Sequence, residues 1–273
     1  MTFKELVDKL QSARIESPRI EAEILFEHFL GIGSAQIPLV YGEDFQSDEL
    51  SEAVGKRVKH TPLQYILGKW EFYGLEFEVN ENCLCPRPDT EILVERAIGL
   101  LPSSARFLEL CTGSGCISVS IIKARPDLSG IATDKFEKTL GVAKRNAKKH
   151  GLSDKLSFEL SDLFDEPNFL KEGTLDAIIS NPPYIPRSEI QKLSDEVKKE
   201  PLAALDGGED GLDFYRHITK NYAKYLKKDG IIAYEIGFDQ DDALRKIAEE
   251  NGFCAEIIKD LGGQARVAIL RKA

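Results

Sequence analysis

The hydrophobic rhythm of the chain changes twice. Over residues 1–68 apolar positions recur at helical spacing. Phe3, Leu6, Val7 and Leu10 form one set, Ile20, Ile24, Leu25 and Phe29 a second, and Leu50, Val54 and Val58 a third. Such a repeat predicts helices with one buried face. Ser17-Pro18 supplies an N-cap followed by proline at the first helical position, and Gly31 a stop. A helix is expected over 47–59, and Thr61-Pro62 opens another short one. Residues 1–68 thus read as a small helical bundle without a glycine-rich or catalytic cluster.

Over residues 69–85 the period shortens. Trp70, Phe72, Leu75, Phe77 and Val79 are β-prone, with turn candidates at Tyr73-Gly74 and Asn80-Glu81-Asn82. The expectation is a β-hairpin linking two domains. From residue 105 strands and helices alternate. Strands are expected at 107–110, 130–134, 156–160, 177–180, 230–236, 255–258 and 267–270. Helices are expected at 116–124, 140–150, 212–226 and 241–251. This predicts an α/β domain over 86–273 with a doubly wound, mostly parallel seven-stranded sheet of Rossmann-like type. Gly262-Gly263 between the last two strands predicts an antiparallel hairpin at one edge.

Composition adds limits. The 273 residues are 42% hydrophobic and 30% charged, the profile of a soluble globular protein. No apolar run reaches membrane-spanning length, and Met1-Thr2-Phe3-Lys4-Glu5 lacks a signal-peptide pattern, so a cytoplasmic location without membrane partners is expected. The 5 cysteines show no zinc-like pairing and read as reduced thiols. His28, His60, His150 and His217 are scattered, so no metal is expected. A net charge of -10 argues against an extended grip on nucleic acid.

The candidate chemistry lies at strand ends. Glu109-Leu110-Cys111-Thr112-Gly113-Ser114-Gly115 follows the first strand of the alternating region and opens a helix. Gly113 and Gly115 permit a sharp turn and close approach of a ligand. The third glycine of a dinucleotide fingerprint is absent, since Ser118 stands there. Asp134 ends the second strand, where a carboxylate takes both hydroxyls of a ribose. Acid, glycine loop and second acid together suit S-adenosylmethionine better than NAD. Glu109 alone reads equally as a strand-end acid, exposed or capping the next helix. In Ser161-Asp162-Leu163-Phe164, Asp162 is a candidate for an adenine amine and Leu163 for its ring; Asp162 alone is also an ordinary loop acid or N-cap. Arg87, between Pro86 and Pro88, belongs to a helix start or lines a cleft.

Asn181-Pro182-Pro183-Tyr184 closes the strand Leu175–Ser180. Two prolines fix the backbone and remove two N–H donors, leaving carbonyls free to accept. An amide oxygen, a carbonyl and an aromatic face make a clamp for a planar group bearing NH2: an adenine, a cytosine or a carboxamide.

With these segments the chain resembles the release-factor glutamine methyltransferases (the HemK/PrmC proteins). The likeness runs through Pro62–Gly68, Phe72-Tyr73-Gly74, Pro86–Glu91, Glu109–Gly115, Thr133-Asp134, Asn181–Tyr184, Leu205–Leu212 and Glu235-Ile236-Gly237. It implies methyl transfer from S-adenosylmethionine, leaving S-adenosylhomocysteine, to the side-chain amide of the glutamine in the Gly-Gly-Gln motif of class I peptide-chain release factors. By the resemblance, Cys111–Gly115 and Asp134 hold the cofactor, Asn181 touches cofactor and substrate, and Pro182, Pro183 and Tyr184 complete the substrate clamp. Leu163 stands where some members carry Trp. The helical region 1–68 is then the candidate for reading the rest of the release factor. Rival acceptors are a glutamine of a ribosomal protein and the N6 amine of adenine in DNA or RNA, the latter disfavoured by charge. A further rival is a non-catalytic module built on the cofactor fold. Gly262-Gly263-Gln264 repeats the expected substrate tripeptide, yet reads as a turn.

Overall fold

The computed structural model describes residues 1–273. They form two compact units, Met1–Lys69 with Ser194–Lys199, and Trp70–Leu193 with Glu200–Ala273.

The first unit holds α1 (Phe3–Ser12), α2 (Pro18–Leu30), α3 (Ile37–Val40), α4 (Asp48–Arg57) and α5 (Leu63–Leu67). A capping box starts α1: the Thr2 hydroxyl accepts from Glu5 N, and Glu5 accepts from Thr2 N. Phe3, Leu6 and Leu10 are buried, and the Phe3 ring meets Phe26 edge-on at 5.2 Å. The buried face of α2 differs from the expected one. It is Ala22, Leu25 and Phe26, while Ile20 is 60% exposed. At 3.6 residues per turn Ile20 sits about 160° round the helix from Ala22. Pro18 stands at the first helical position as expected, but the Ser17 side chain makes no capping bond.

No periodicity foretold Arg57. Its side chain is 3% exposed and gathers acceptors from three segments. Nε and Nη2 donate to the two oxygens of Glu21 at 2.5 and 2.9 Å, Nη2 to Glu196 at 2.7 Å, and Nη1 to the Thr61 carbonyl at 3.1 Å. A buried guanidinium, all donor and always charged, needs such a ring of acceptors.

The second unit opens within β1 (Lys69–Phe72), at Trp70, and continues with β2 (Leu75–Glu78). Tyr73 and Gly74, at φ 52° and 69°, make the tight two-residue turn between them. Of residues 69–85, expected as a hairpin linking two domains, 70–85 fall in this unit, where Phe72 and Phe77 join the core. Then follow α6 (Thr90–Leu100), β3 (Arg106–Leu110), α7 (Cys116–Ala124), β4 (Ser129–Asp134), α8 (Glu137–Lys149), β5 (Leu156–Leu160), β6 (Leu175–Ser180), α9 (Asp213–Asn221), β7 (Leu226–Glu235), α10 (Asp241–Glu250), β8 (Phe253–Lys259) and β9 (Ala265–Lys272). The helix expected over 212–226 stops at Asn221. There the chain tightens into a 3-10 turn, Ala223–Tyr225, that buries Tyr222 and Tyr225.

The seven strands lie in the order β5-β4-β3-β6-β7-β9-β8. The first five are parallel, and β9 runs antiparallel to both β7 and β8. This is the expected Rossmann-like sheet, with an antiparallel hairpin at one edge. The chain builds outward from β3 through β4 to β5, then returns to lay β6 on the other side of β3. Strand order therefore reverses between β3 and β6, where doubly wound sheets open a crevice at their carboxyl ends. Two apolar clusters cover the sheet, one around Phe107, Ile121 and Ile179 and one around Leu108, Ile178 and Tyr234. Alternate residues of the same strands feed opposite faces.

Candidate functional site

Leu110 on β3 pairs with Ser180 on β6, and Ser180 Oγ donates to the Leu110 carbonyl at 2.8 Å. The residues that follow, Cys111 and Asn181, thus leave the sheet side by side. Beyond them the glycine loop and the Asn-Pro-Pro-Tyr corner share a cavity of about 500 Å³. That falls within the usual range for small-molecule sites.

The loop after β3 is folded tightly. Cys111 takes a left-handed φ of 58°, followed by Gly113 at 57° and Gly115 at 79°. Thr112 N donates to the Thr133 carbonyl at 2.9 Å, tying the loop to β4. At Gly115 a Cβ would stand 3.0 Å from Ala143 Cβ, so this glycine lets α8 approach the loop. Asn146, buried in α8, donates to the Ser114 carbonyl and the Glu78 carbonyl, both at 2.9 Å. It accepts from Glu78 N at 2.7 Å. One side chain so joins the hairpin, α8 and the loop. Sequence reading missed it, since Asn146 lies in no motif.

Glu109 sits beneath the loop and is absent from the cavity wall. Its Oε2 accepts from the Thr112 hydroxyl at 2.8 Å, from Ser118 N at 3.2 Å and from Ser118 Oγ. Oε1 is buried without a partner. Through Ser118, in the first turn of α7, it caps that helix. Burial pushes its pKa up to about 7, against the Ser118 and Thr112 bonds that favour the charge.

Asp134, at the end of β4, lines the cavity. It accepts from Gly113 N and Phe136 N, both at 3.1 Å. Burial raises its pKa while those backbone donors hold it down. Asp162 also lines the cavity, but Lys135 Nζ already pairs with it at 2.7 Å, and that bond lowers its pKa. Leu163 contributes apolar wall, its carbonyl held by the Tyr222 hydroxyl at 2.9 Å. Half-exposed Phe136 and Phe164 add aromatic surface.

On the β6 side, Asn181 and Pro183 face the cavity, whereas Pro182 and Tyr184 stand outside its wall. The Tyr184 ring is the aromatic face expected to meet a bound amide. Its hydroxyl turns inward to Glu235 Oε1 at 3.2 Å, and burial raises its pKa. Arg87 lines the cavity and is ion-paired with the buried Glu200, which also accepts from Cys85 N at 2.9 Å. Thus Arg87, Cys111, Thr112, Gly113, Ser114, Asp134, Asp162, Leu163, Asn181 and Pro183 meet in one wall; Glu109, Gly115, Pro182 and Tyr184 are not part of it.

The Leu205–Leu212 segment buttresses the corner. Ile185 N donates to the Leu205 carbonyl at 3.0 Å, and Gly207 N to the Ile185 carbonyl at 2.9 Å. Gln240 Nε2 donates to the Tyr184 carbonyl at 2.9 Å. A Cβ at Gly207 would lie 2.7 Å from Tyr184 Cα. The glycines here are a condition of contact between the two segments.

Residues 2–68 match the family described as the PrmC N-terminal domain, and residues 89–209 the methyltransferase small domain. The release factor glutamine methyltransferase of Aquifex aeolicus is 37% identical over 274 residues, 98% of this chain and 95% of that protein. This chain belongs to the release factor glutamine methyltransferase family. The family member of the same name from Thermodesulfovibrio yellowstonii is 40% identical over 263 residues, 93% of this chain and 92% of that one. The crystal structure of a methyltransferase from Pyrococcus furiosus shares the fold, with a TM-score of 0.55 at 19% identity over 73% of this chain and 89% of that chain.

The family member's donor set fits S-adenosylmethionine. Asp134 offers a carboxylate in the wall, and the space where a Gly113 side chain would project is open. Leu163, Phe136 and Phe164 offer apolar surface for a flat base. Among the described residues no group of three or more His, Cys, Asp or Glu could hold a metal ion, and no helix is long and apolar enough to cross a membrane.

Proposed function

We propose that this chain transfers the methyl group of S-adenosylmethionine to the side-chain amide nitrogen of the glutamine in the Gly-Gly-Gln motif of class I release factors. The observation that carries this reading is the setting of Asn181. It lines the cavity beside the glycine loop, and its Nδ2 is turned away to Thr90 Oγ1 at 3.3 Å. Oδ1 is thereby left for an incoming NH2.

An amide nitrogen is a weak nucleophile, because its lone pair is delocalised into the carbonyl. When bound, the cofactor supplies an electrophilic methyl group on a sulfonium. The chain's part is positional. Asn181 Oδ1 and the Pro182 carbonyl accept the two amide hydrogens, orient the nitrogen and favour positive charge building on it. Holding reactants in attack geometry is worth about 7–11 kcal/mol in favourable cases. No base is needed before attack, since the methylated amide nitrogen becomes strongly acidic and loses its proton afterwards. Asp134 takes the ribose hydroxyls, the Cys111–Gly115 loop the amino-acid portion, and Leu163 the adenine. Glu109 acts from beneath the loop, and the Tyr184 ring packs against the amide plane. The helical unit of residues 1–68 reads the remainder of the release factor. The enzyme works in the cytoplasm and binds neither nucleic acid nor membrane.

Methyl transfer to three acceptors tests this: a release factor, a ribosomal protein and unmethylated DNA. Methylation of the release-factor glutamine alone is expected, and transfer only to DNA would overturn the reading. Asn181→Ala should lower kcat by about 100-fold or more, in the range of a lost oxyanion-type partner, with the fold intact by circular dichroism. Unchanged turnover would remove Asn181 from the mechanism.

A further inference from the structure

Behind Asn181 runs a chain of three hydrogen bonds linking the ends of β6 and β7 to the start of α6. Asn181 Nδ2 donates to Thr90 Oγ1 at 3.3 Å. Thr90 Oγ1 donates to Glu235 Oε2 at 2.5 Å. The Tyr184 hydroxyl donates to Glu235 Oε1 at 3.2 Å. Thr90 and Glu235 are each 2% exposed, so water does not compete for these bonds. Neither residue carried a role in the sequence reading, although both lie in segments of the family resemblance.

The chain has a direction. A carboxylate accepts and cannot donate. With Glu235 ionised, both its oxygens are met by hydroxyls, and the single Thr90 hydrogen is committed to Glu235. Thr90 then has only a lone pair for Asn181, and Asn181 must answer with its NH2. The oxygen of the same planar amide consequently faces away from Thr90. Burial raises the pKa of Glu235, while the Thr90 hydroxyl and the Arg266 guanidinium favour its charge. Asparagine alone has no means of fixing this choice, because its amide is nearly symmetric in shape. Rotated by half a turn, it would set an NH2 against the NH2 of the substrate.

We propose that Glu235, acting through Thr90, fixes which way round the Asn181 amide sits, and that both are positioning residues for methyl transfer. The inference rests on the role given to Asn181 above. It makes the direction of a buried hydrogen-bond chain, rather than the shape of the corner, the feature that distinguishes an acceptor site from a donor site.

The test compares Thr90→Val, Thr90→Ser and Glu235→Gln with the wild-type enzyme, using a release factor as acceptor. Valine keeps the shape of threonine without the hydroxyl. Glutamine offers Thr90 either a donor or an acceptor, so the direction is no longer forced. Thr90→Val and Glu235→Gln are expected to lower kcat by about tenfold or more, the scale of a lost oriented acceptor, with cofactor Kd and acceptor KM within about threefold of wild type. Thr90→Ser should recover most of kcat. The Asn181 side-chain amide resonances, assigned by their loss in Asn181→Ala, should move in Thr90→Val and stay in Thr90→Ser. Wild-type kcat in Thr90→Val, or equal loss in Thr90→Ser, would overturn the proposal. If the wild-type enzyme left the release factor unmethylated, the functional reading would fall. The resonances would still decide the orientation: unmoved in Thr90→Val, they would end this inference too.

Discussion

The Thr90 hydroxyl and the Glu235 carboxylate, 145 positions apart in sequence, meet at 2.5 Å in a buried contact. The contact brings the first residue of α6 to the last residue of β7, immediately behind Asn181. It is one of several supports that converge on the same corner. Gln240 holds the Tyr184 carbonyl, and Gly207 lies against Tyr184. A site held on strand ends and braced from three sides is suited to a reaction that depends on orientation.

Asp134→Asn should weaken binding of S-adenosylmethionine. Loss of a charged hydrogen-bond partner is worth about 1.5–3 kcal/mol, or roughly ten- to a hundredfold in Kd. Isothermal titration calorimetry reads this directly. An affinity equal to wild type would take the ribose contact away from Asp134.

Gly207→Ala should disturb stability and turnover together. The new Cβ meets Tyr184 Cα at 2.7 Å and Tyr184 C at 2.8 Å, which are backbone atoms that cannot swing aside. Overpacking of this kind costs about 1–3 kcal/mol, and the displaced corner should lower kcat. Gly99→Ala is the control: Gly99 lies in α6 with nothing within 4 Å of a Cβ, and alanine there should stabilise by roughly 0.5–1 kcal/mol. Urea unfolding and single-turnover kinetics would separate the two variants; identical behaviour would contradict the packing.

Glu109 should make stability fall as pH rises toward neutrality. Its ordinary value is 4.5, and burial lifts it to about 7 in the folded chain. Between these values the folded state keeps a proton that the unfolded state has lost. The contribution is therefore complete below pH 4.5 and disappears as pH rises through about 7. Its upper size is about 3 kcal/mol. Urea midpoints of wild type and Glu109→Gln, measured from pH 5 to 8, should diverge across this window, because glutamine does not titrate. A difference independent of pH would show that Glu109 keeps its charge throughout.

Gln264 should remain unmodified. Its backbone is fixed in the turn between β8 and β9, where Gln264 N donates to Asp260 Oδ1 at 2.9 Å and Asp260 N to the Gln264 carbonyl at 2.8 Å. The side chain is exposed, but the tripeptide is part of a sheet hairpin. Intact mass after incubation with S-adenosylmethionine alone should not change; one added methyl mapped to Gln264 would refute this.

Much of the architecture was legible in sequence because it is written in local period. The alternation of short apolar runs with helical stripes foretold the mostly parallel sheet, and Gly262-Gly263 foretold its antiparallel edge. The glycine loop, Asp134 and Asn181 were each visible as residues of the right type at a strand end. Where local rules failed, a tertiary demand had intervened. The face of α2 turned to bury Ala22 and Phe26 instead of Ile20, and the helix after Leu212 gave way early so that Tyr222 and Tyr225 could be buried.

Sequence by itself determined which chemistry this chain carries: a glycine turn, an acid after the next strand and an asparagine held by two prolines. Only the tertiary structure decided how these parts are aimed. Pairing of Leu110 with Ser180 put loop and corner side by side, Glu109 went beneath the loop, and Tyr184 turned inward. The direction of the Asn181 amide follows from a hydroxyl and a carboxylate far away along the chain. The physical reason is that residue type is a local property, whereas hydrogen-bond direction depends on which partners burial brings together.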